Sequence, residues 1–262
     1  MQYIKKILKF EFNNVSRSRW IIFFFGFFFL VSYSLFTFES NIQKSLLSLF
    51  NLIIYLVPLI GLIFGTMYFY NSREYIEMML CQPIPRNSLY FGLYFGTSLP
   101  IVLSLVAGIL IPFILFSNMN EGFDFIILLC LIGTILNFIS IAVAFLISTS
   151  VNDKVKGLSF AIFFWLIMAI AFDGILLLLI YIFSDYPIEK FLLFITLINP
   201  INLSRTLFVL NFDISALMGF TGAIFKKFYG SVLGSIVSSV ALIFWLIIPL
   251  WLGLKKFMRK DF

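Results

Sequence analysis

The chain contains 262 residues, of which 62% are hydrophobic and 11% are charged, and its mean hydropathy is +1.09. Because soluble domains carry about 25% charged residues, this composition excludes a soluble globular protein and a disordered one. The sequence has no histidine and no glycine-rich phosphate loop, which excludes histidine-dependent catalysis and ATP hydrolysis at such a loop. We therefore expect a membrane protein that is not itself an enzyme.

The N-terminal residues 1–19 predict a helix that lies on the membrane surface. Apolar residues recur there at intervals of three or four, at Ile4, Ile7, Leu8, Phe12 and Val15. Basic residues lie between them, at Lys5, Lys6 and Lys9. This spacing is typical of a basic amphipathic helix on an anionic bilayer. The alternative is a simple basic flank that orients the first span.

Six segments are long and apolar enough to cross a bilayer, which takes about 20 residues. They are 20–38, 46–70, 89–116, 125–149, 158–183 and 231–254. None of them contains a lysine or an arginine, and Asp173 is their one carboxylate. The predicted fold is an all-α polytopic membrane protein in which residues 1–262 form a single transmembrane domain.

The basic residues predict the orientation of these spans. Thirteen of the 18 lysines and arginines fall in 1–19, 71–88, 150–157 and 255–262, on the side that holds both termini. The positive-inside bias therefore predicts cytoplasmic termini. No basic stripe with interleaved aromatic residues is present, so we expect no nucleic acid partner.

The loop 71–88 predicts a short cytoplasmic helix between the second and third spans. Asn71 and Glu74 have the spacing of a capping box, and Pro83 and Pro85 end the helix. A loop that only connects two spans needs no such helix, so we expect it to contact a cytosolic partner. The other cytoplasmic loop, 151–157, is either a second contact point or a solvated turn.

The segment 184–230 is apolar but too interrupted by proline and polar residues to be another span. We expect two or three short re-entrant or interfacial helices, because apolar backbone at membrane depth must be packed or interfacial. The segment is a candidate for docking an outer partner, through Asn199, Pro200, Asn202 and Arg205. Gating of an outer opening and a pure packing role are the alternatives.

Asp173 lies beyond the centre of its span, toward the outer face. An ionised carboxylate at mid-membrane costs at least about 2.5 kcal/mol. We therefore predict a residue of a gate or a cavity. The alternatives are a carboxylate that reaches the outer interface, or one that stays protonated beside a serine.

One stretch of the cytoplasmic loop carries a resemblance to a known family. Leu80, Pro83 and Arg86 have the spacing Leu-x-x-Pro-x-x-Arg with which the coupling helix of ABC type-2 transporter permeases commonly ends. The order of the surface helix, six spans, cytoplasmic helix and outer segment also resembles that family, over the entire chain. The resemblance implies an ATPase-coupling surface at Arg73, Glu74, Glu77, Met78, Cys81, Pro83 and Arg86.

The same resemblance implies the partners of this chain. They are a second copy in a homodimer, a separate cytosolic ABC ATPase that binds ATP and Mg, and the lipid of a bacterial inner membrane. It implies no cofactor and no metal bound by the chain itself.

Within the family, the stretches 199–205 and 216–225 resemble permeases of nitrous-oxide reductase maturation. That resemblance implies an accessory protein outside the membrane and a role in assembling a copper–sulfur centre. The absence of histidine argues against tight copper binding by this chain. An ABC type-2 exporter of a lipid, a peptide or a toxic compound is the first alternative, and a membrane scaffold that is not coupled to ATP is the second.

Overall fold

The structure is a computed structural model that describes residues 2–39, 41–116, 122–183, 189–211 and 220–260. In this part of the chain all regular secondary structure is helical, which confirms the predicted fold class. The helices are α1 (Gln2–Ser16), α2 (Arg19–Phe38), α3 (Ile42–Asn71), α4 (Arg73–Leu80), α5 (Arg86–Phe116), α6 (Phe123–Ser150), α7 (Lys154–Leu166), α8 (Phe172–Ile182), α9 (Glu189–Thr196), α10 (Pro200–Asn211) and α11 (Phe220–Arg259).

Among the described residues, six helices are long and apolar enough to cross a membrane, as predicted. They are α2, α3, α5, α6, α11 and the continuous helix that α7 and α8 form with a π-helical turn, Ile167–Ala171. The helix α11 starts at Phe220, well before the predicted residue 231. Parts of the stretches 184–230 and 216–225 lie outside the described residues, but α9 and α10 supply two short helices in the predicted place.

The chain divides into two compact units. The first unit is Met1–Ile162 together with Ile248–Phe262, and the second unit is Phe163–Ile247. In the first unit a buried cluster that includes Ile76, Tyr90 and Phe145 joins several helices around α4. In the second unit the buried apolar residues include Leu203, Phe208 and Leu242.

Close packing in the first unit depends on glycines four residues apart. Gly61 and Gly65 of α3 lie against α6, where a Cβ added at Gly61 would come within 2.8 Å of the Ser140 Cβ. Gly92 of α5 lies against α1, and a Cβ there would come within 2.6 Å of the Ile7 Cγ2. Such small residues let helices approach closely where lipid supplies no hydrophobic driving force. The predicted N-terminal helix is thus part of the packed unit.

Candidate coupling site and outer segment

The helix α4 is anchored in the first unit by its inner face. Ile76 is completely buried in the cluster that contains Leu89 and Phe257, while Tyr75 and Met79 are partly buried against it. Burying an aliphatic side chain contributes about 1.5–3 kcal/mol. A displacement of α4 therefore displaces the cluster in which Ile76 is held.

The exposed face of α4 carries most of the predicted coupling residues. Glu74, Glu77, Met78, Cys81 and Pro83 are exposed. Arg73, at the start of the helix, lies 3.2 Å from the Glu77 carboxylate in an exposed ion pair of the i,i+4 type. This set, from Arg73 to Pro83, is called the exposed α4 surface below. It combines two carboxylates with apolar and sulfur-containing side chains.

The capping box predicted at Asn71 is wrong. The helix α3 continues through Asn71, so Ser72 alone separates α3 from α4. Ser72 has φ −87° and ψ 5°, not the extended backbone from which a side chain usually caps, and it makes no side-chain cap. The Asn71 Oδ1 instead accepts a hydrogen bond from the Lys154 Nζ at 2.8 Å.

Arg86 has a different environment from the exposed α4 surface. Its Nη1 donates hydrogen bonds to the Met258 and Lys260 carbonyls, at 2.8 Å and 3.0 Å. The Lys260 Nζ in turn donates to the Ser148 and Thr149 carbonyls at the end of α6, at 3.3 Å and 3.2 Å. Burial lowers the pKa of Lys260. Arg86 thus ties the start of α5 to the end of α11.

The segment 151–157, whose residues from Lys154 onward form the first turn of α7, lies beside the start of α4. Its Val151 carbonyl accepts a hydrogen bond from the Tyr70 hydroxyl at 2.8 Å, and Lys154 bonds Asn71 as described above. The Asp153 Oδ1 accepts from the Lys156 backbone N–H at 2.9 Å, which lowers the pKa of Asp153. These bonds fix the loop on α3 and make it a neighbour of α4.

A buried carboxylate, Glu11, joins α1 to the site, although it is not among the site residues predicted from the sequence. Glu11 is 1% exposed, and the Tyr68 hydroxyl at the end of α3 donates a hydrogen bond to its Oε2. Asn14 and Tyr75 also hydrogen-bond to the carboxyl group. A Cβ at Gly96 of α5 would overlap the Glu11 side chain. This one carboxyl therefore links α1, α3 and α4 where α1 packs on α5.

The ionisation of Glu11 reflects this environment. Burial raises its pKa, while the hydrogen bonds from Tyr68, Asn14 and Tyr75 oppose the increase. Burial and the nearby Glu11 carboxylate raise the pKa of Tyr75 to about 12. A sequence signal existed, because Glu11 is the one acidic residue of α1 and shares the apolar face with Ile4, Ile7 and Val15 at helical spacing.

In the second unit the structure pairs two residues that the sequence analysis had treated separately. The Arg205 Nη1 lies 2.9 Å from the Asp173 Oδ2, and both side chains are about one-third exposed. Asp173 is thus paired with a cation, and not held by a serine. The pair joins α8 to α10.

The other residues predicted to dock an outer partner, Asn199, Pro200 and Asn202, are buried. The Asn199 Nδ2 donates to the Met168 carbonyl in the π-helical turn at 2.7 Å, and the Asn199 Oδ1 accepts from the Ile201 N–H at 2.9 Å. Pro200 begins α10, where its missing N–H costs no hydrogen bond, and Asn202 is 5% exposed. These contacts favour the packing alternative for Asn199, Pro200 and Asn202. Partner docking at these positions stays a prediction.

Neither unit offers an evident metal site in the described ranges. No three cysteine, aspartate or glutamate side chains come together there in a way that could hold a metal ion.

Comparison with known proteins gives one family over nearly the entire chain. The family model of the ABC-2 family transporter proteins matches residues 6–262. The chain is 24% identical to the "Probable ABC transporter permease protein NosY" of Stutzerimonas stutzeri, over 82% of this chain and 77% of that protein. It is 23% identical to the protein of the same name from Pseudomonas aeruginosa, with the same coverage.

Proposed function

The chain belongs to the ABC-2 family of transporter proteins, and from that membership we propose that a separate cytosolic ATPase acts on it through α4. The observation that carries this proposal is the construction of α4. Its outer face exposes Glu74, Glu77 and Met78, while its inner face is fixed by the buried Ile76. A partner that displaces the exposed face of α4 would therefore also displace the helices that pack around Ile76.

The contacts of α4 suggest the path of that push. When the two ATPase subunits bind ATP and Mg and close, the exposed α4 surface moves. The buried Ile76 moves the cluster around α5, and the hydrogen bonds between Tyr75, Glu11 and Tyr68 carry α1 and the end of α3 along. The chain supplies no nucleotide chemistry; it converts a movement at α4 into a change of helix packing.

A homodimer is part of the proposal. The apolar stretches of α2 and of the spans Lys154–Ile182 and Gly234–Arg259 are only 17%, 11% and 22% buried, whereas those of α3, α5 and α6 are 50–67% buried. These three exposed spans therefore offer apolar surface that either lipid or a second copy must cover. A second copy would also give the two ATPase subunits one α4 each.

The proposed role of the complex is maturation of nitrous-oxide reductase, by helping to assemble its copper–sulfur centre. The support is the resemblance at 199–205 and the two relatives named as NosY permeases. The outer segment, through α9, α10 and the Asp173–Arg205 pair, is the proposed link to an accessory protein outside the membrane.

Charge reversal on α4 tests the coupling. The ATPase that co-purifies with the tagged chain from its own cells is reconstituted with it in lipid, and ATP hydrolysis is measured. Glu74→Lys with Glu77→Lys should abolish the stimulation by the permease and leave the basal rate of the ATPase unchanged. Glu39→Lys is the control, because it reverses a charge at the C-terminal end of α2 and not on α4. Full stimulation in the double variant would refute the proposed coupling surface.

Deletion of the gene in its own host tests the cellular role. We expect nitrous-oxide reductase that lacks its copper–sulfur centre, seen as lost visible absorbance and lost copper, together with accumulation of nitrous oxide. A fully loaded reductase in the deletion strain would overturn this role. Sensitivity of that strain to a particular toxic compound, peptide or lipid would then favour an exporter.

A further inference from the structure

The C-terminal end of α11 is capped by a cation from another helix of the first unit. The Arg86 Nη1, at the start of α5, donates hydrogen bonds to the Met258 and Lys260 carbonyls. The last four carbonyls of a helix have no partner within it, and Met258 supplies one of them, because α11 ends at Arg259. A cation is favoured at this negative pole of the helix dipole. Arg86 therefore holds the end of α11 at the start of α5.

The end of α6 is capped in the same way by α11. The Lys260 Nζ donates to the carbonyls of Ser148 and Thr149, two of the last four residues of α6. One turn earlier, the Lys256 Nζ donates to the Ser150 Oγ at 2.8 Å. These cations connect α5 to α11 and α11 to α6. The hydrogen bonds made by the side chains at positions 86, 256 and 260 are called the C-terminal junction below.

Behind the C-terminal junction, α11 packs into the cluster that holds α4. Phe257 is completely buried, and the centroid of its ring lies 5.4 Å from that of Tyr90 and 6.3 Å from that of Phe69. Gly253, one turn earlier, lies so close to α5 that an added Cβ would overlap the Tyr90 hydroxyl. Ile76, the buried residue of α4, belongs to the same cluster as Phe257. A displacement of this cluster therefore also displaces the last turns of α11.

The C-terminal junction also adjoins both ends of α4. The link from the end of α4 to Arg86 contains Pro83 and Pro85, whose rings fix φ and stiffen the backbone. At the start of α4, Arg73 lies near Lys260, because burial and the positive charge of Arg73 both lower the pKa of Lys260. A movement of α4 as a whole is therefore felt at the junction from two directions.

The helix α11 carries the C-terminal junction into the second unit. It is continuous from Phe220 to Arg259, and its residues before Ile248 belong to the second unit. There the Trp245 Nε1 donates a hydrogen bond to the Leu197 carbonyl at 3.2 Å, in the turn between α9 and α10. A displacement of α11 along its length therefore acts on the turn that joins these two short helices.

We propose that the C-terminal junction transmits the movement of α4 to α9 and α10 through α11, with Arg86 as its positioning residue. This path rests on the proposed coupling through α4 and adds the route by which the movement leaves the first unit. It also gives Arg86 a role that differs from the one implied by the family resemblance. Its guanidinium binds the end of α11, and not the ATPase.

Hydrogen exchange of the chain, reconstituted with its co-purified ATPase, measures both ends of this path in one experiment. The complex is compared without nucleotide and after trapping with ATP, Mg and vanadate, which holds the ATPase subunits closed. In the unaltered chain we expect trapping to change the exchange of residues 73–80 and of residues 189–211. Arg86→Gln should keep the first change and lose the second. Arg86→Lys, which keeps the charge and can still donate to the carbonyls, should keep both.

Arg259→Gln is the matched control for the charge. It removes an exposed cation from the same end of α11, next to the two carbonyls that Arg86 binds, and should keep both changes. The unfolding midpoint of each variant shows whether it is folded.

Gly253→Ala tests the same path without altering a charge. Its Cβ would overlap the Tyr90 hydroxyl and displace α11 from α5, so the change at 189–211 should again be lost. Tyr90→Phe removes that hydroxyl, which is buried and has no hydrogen-bond partner among the described residues. The double variant Gly253→Ala with Tyr90→Phe should therefore recover the change. If Arg86→Gln does not fold, this pair of variants decides.

The outcomes distinguish this path from the coupling surface. In the unaltered chain, a change at 73–80 without one at 189–211 would overturn the path and leave the coupling surface intact. A folded Arg86→Gln that keeps both changes would also overturn the path, as would a Gly253→Ala that keeps both. Loss of both changes in Arg86→Gln would overturn it and assign Arg86 to the ATPase contact. No change at 73–80 in the unaltered chain would refute the coupling surface, and the path with it.

Discussion

Replacing Glu11 by alanine tests whether one buried carboxyl holds α4 to the rest of the first unit. Glu11 accepts a hydrogen bond from the Tyr68 hydroxyl and also bonds Tyr75 of α4 and Asn14 of α1. In Glu11→Ala these groups lose their shared partner, while Ile76 keeps its buried position. We therefore expect α4 to loosen without complete unfolding of the unit.

The size of the effect follows from the contacts that are lost. A buried donor left without its acceptor costs about 1–3 kcal/mol, and this applies to the O–H of Tyr68, whose oxygen keeps its hydrogen bonds with Ser72 and Asn14. Loss of the buried Cγ methylene of Glu11 adds about 0.8 kcal/mol. The free energy of unfolding should fall by about 2–4 kcal/mol, which at about 2–4 °C per kcal/mol corresponds to a decrease of about 4–16 °C in the unfolding midpoint.

Hydrogen exchange and thermal unfolding in detergent micelles measure both expectations. Amides of residues 73–80 should exchange faster in Glu11→Ala, while those in the centre of α6 should not. Glu74→Ala removes an equivalent but exposed carboxylate from α4 and should change the stability by no more than about 0.5 kcal/mol. Unchanged exchange at 73–80 and an unchanged midpoint in Glu11→Ala would refute the role given to Glu11.

Three more predictions concern the ionisation of Glu11, the packing at Gly96 and the Asp173–Arg205 pair. Burial raises the pKa of Glu11 above its ordinary 4.5, so the folded state holds this proton more tightly than the unfolded chain does. The stability contributed by Glu11 should therefore fall as the pH rises from about 4.5 through the raised pKa, and Glu11→Gln should flatten that part of a stability–pH profile. Gly96→Ala should lower the unfolding midpoint because its Cβ meets Glu11, whereas Gly26→Ala, with no atom within 4 Å of the added Cβ, should leave the midpoint unchanged or raise it slightly. Arg205→Ala should destabilise the chain by about 1–3 kcal/mol by leaving Asp173 without this cation, and Asp173→Asn added to it should recover most of the loss in a double-mutant cycle.

The spans were predictable because each is a long run of apolar residues without lysine or arginine. The N-terminal extension of α11 was not predictable from hydropathy. The residues after Phe220 include Lys226 and Lys227, and hydropathy indicates which residues lie in the bilayer, not how far a helix extends beyond it. The π-helical turn gave no signal either, because Ile167–Ala171 is apolar throughout.

The position of the candidate site in the chain could be predicted from the sequence, but the hydrogen bonds that join it to other helices could not. Pro83 and Pro85 located the end of α4, since proline cannot continue a helix. The hydrogen bond from Tyr68 to Glu11 joins residues of two helices far apart in the sequence, which no local pattern reveals. Arg86 matched a family motif, but its hydrogen bonds go to the end of α11, which also depends on the tertiary fold.

The π-helical turn determines the direction in which the side chains of α8, which follows it in the same continuous helix, point. The Phe172 N–H bonds the carbonyl of Ile167, five residues earlier, so the turn contains one residue more than an α-helix would use. Straightening the turn into an α-helix with all its residues kept would rotate α8 by about 100° relative to the residues before the turn. Asp173 would then turn away from Arg205. Deleting Ile170 instead removes the extra residue itself, so α-helical bonding should return with α8 in nearly its present phase and with the ion pair intact.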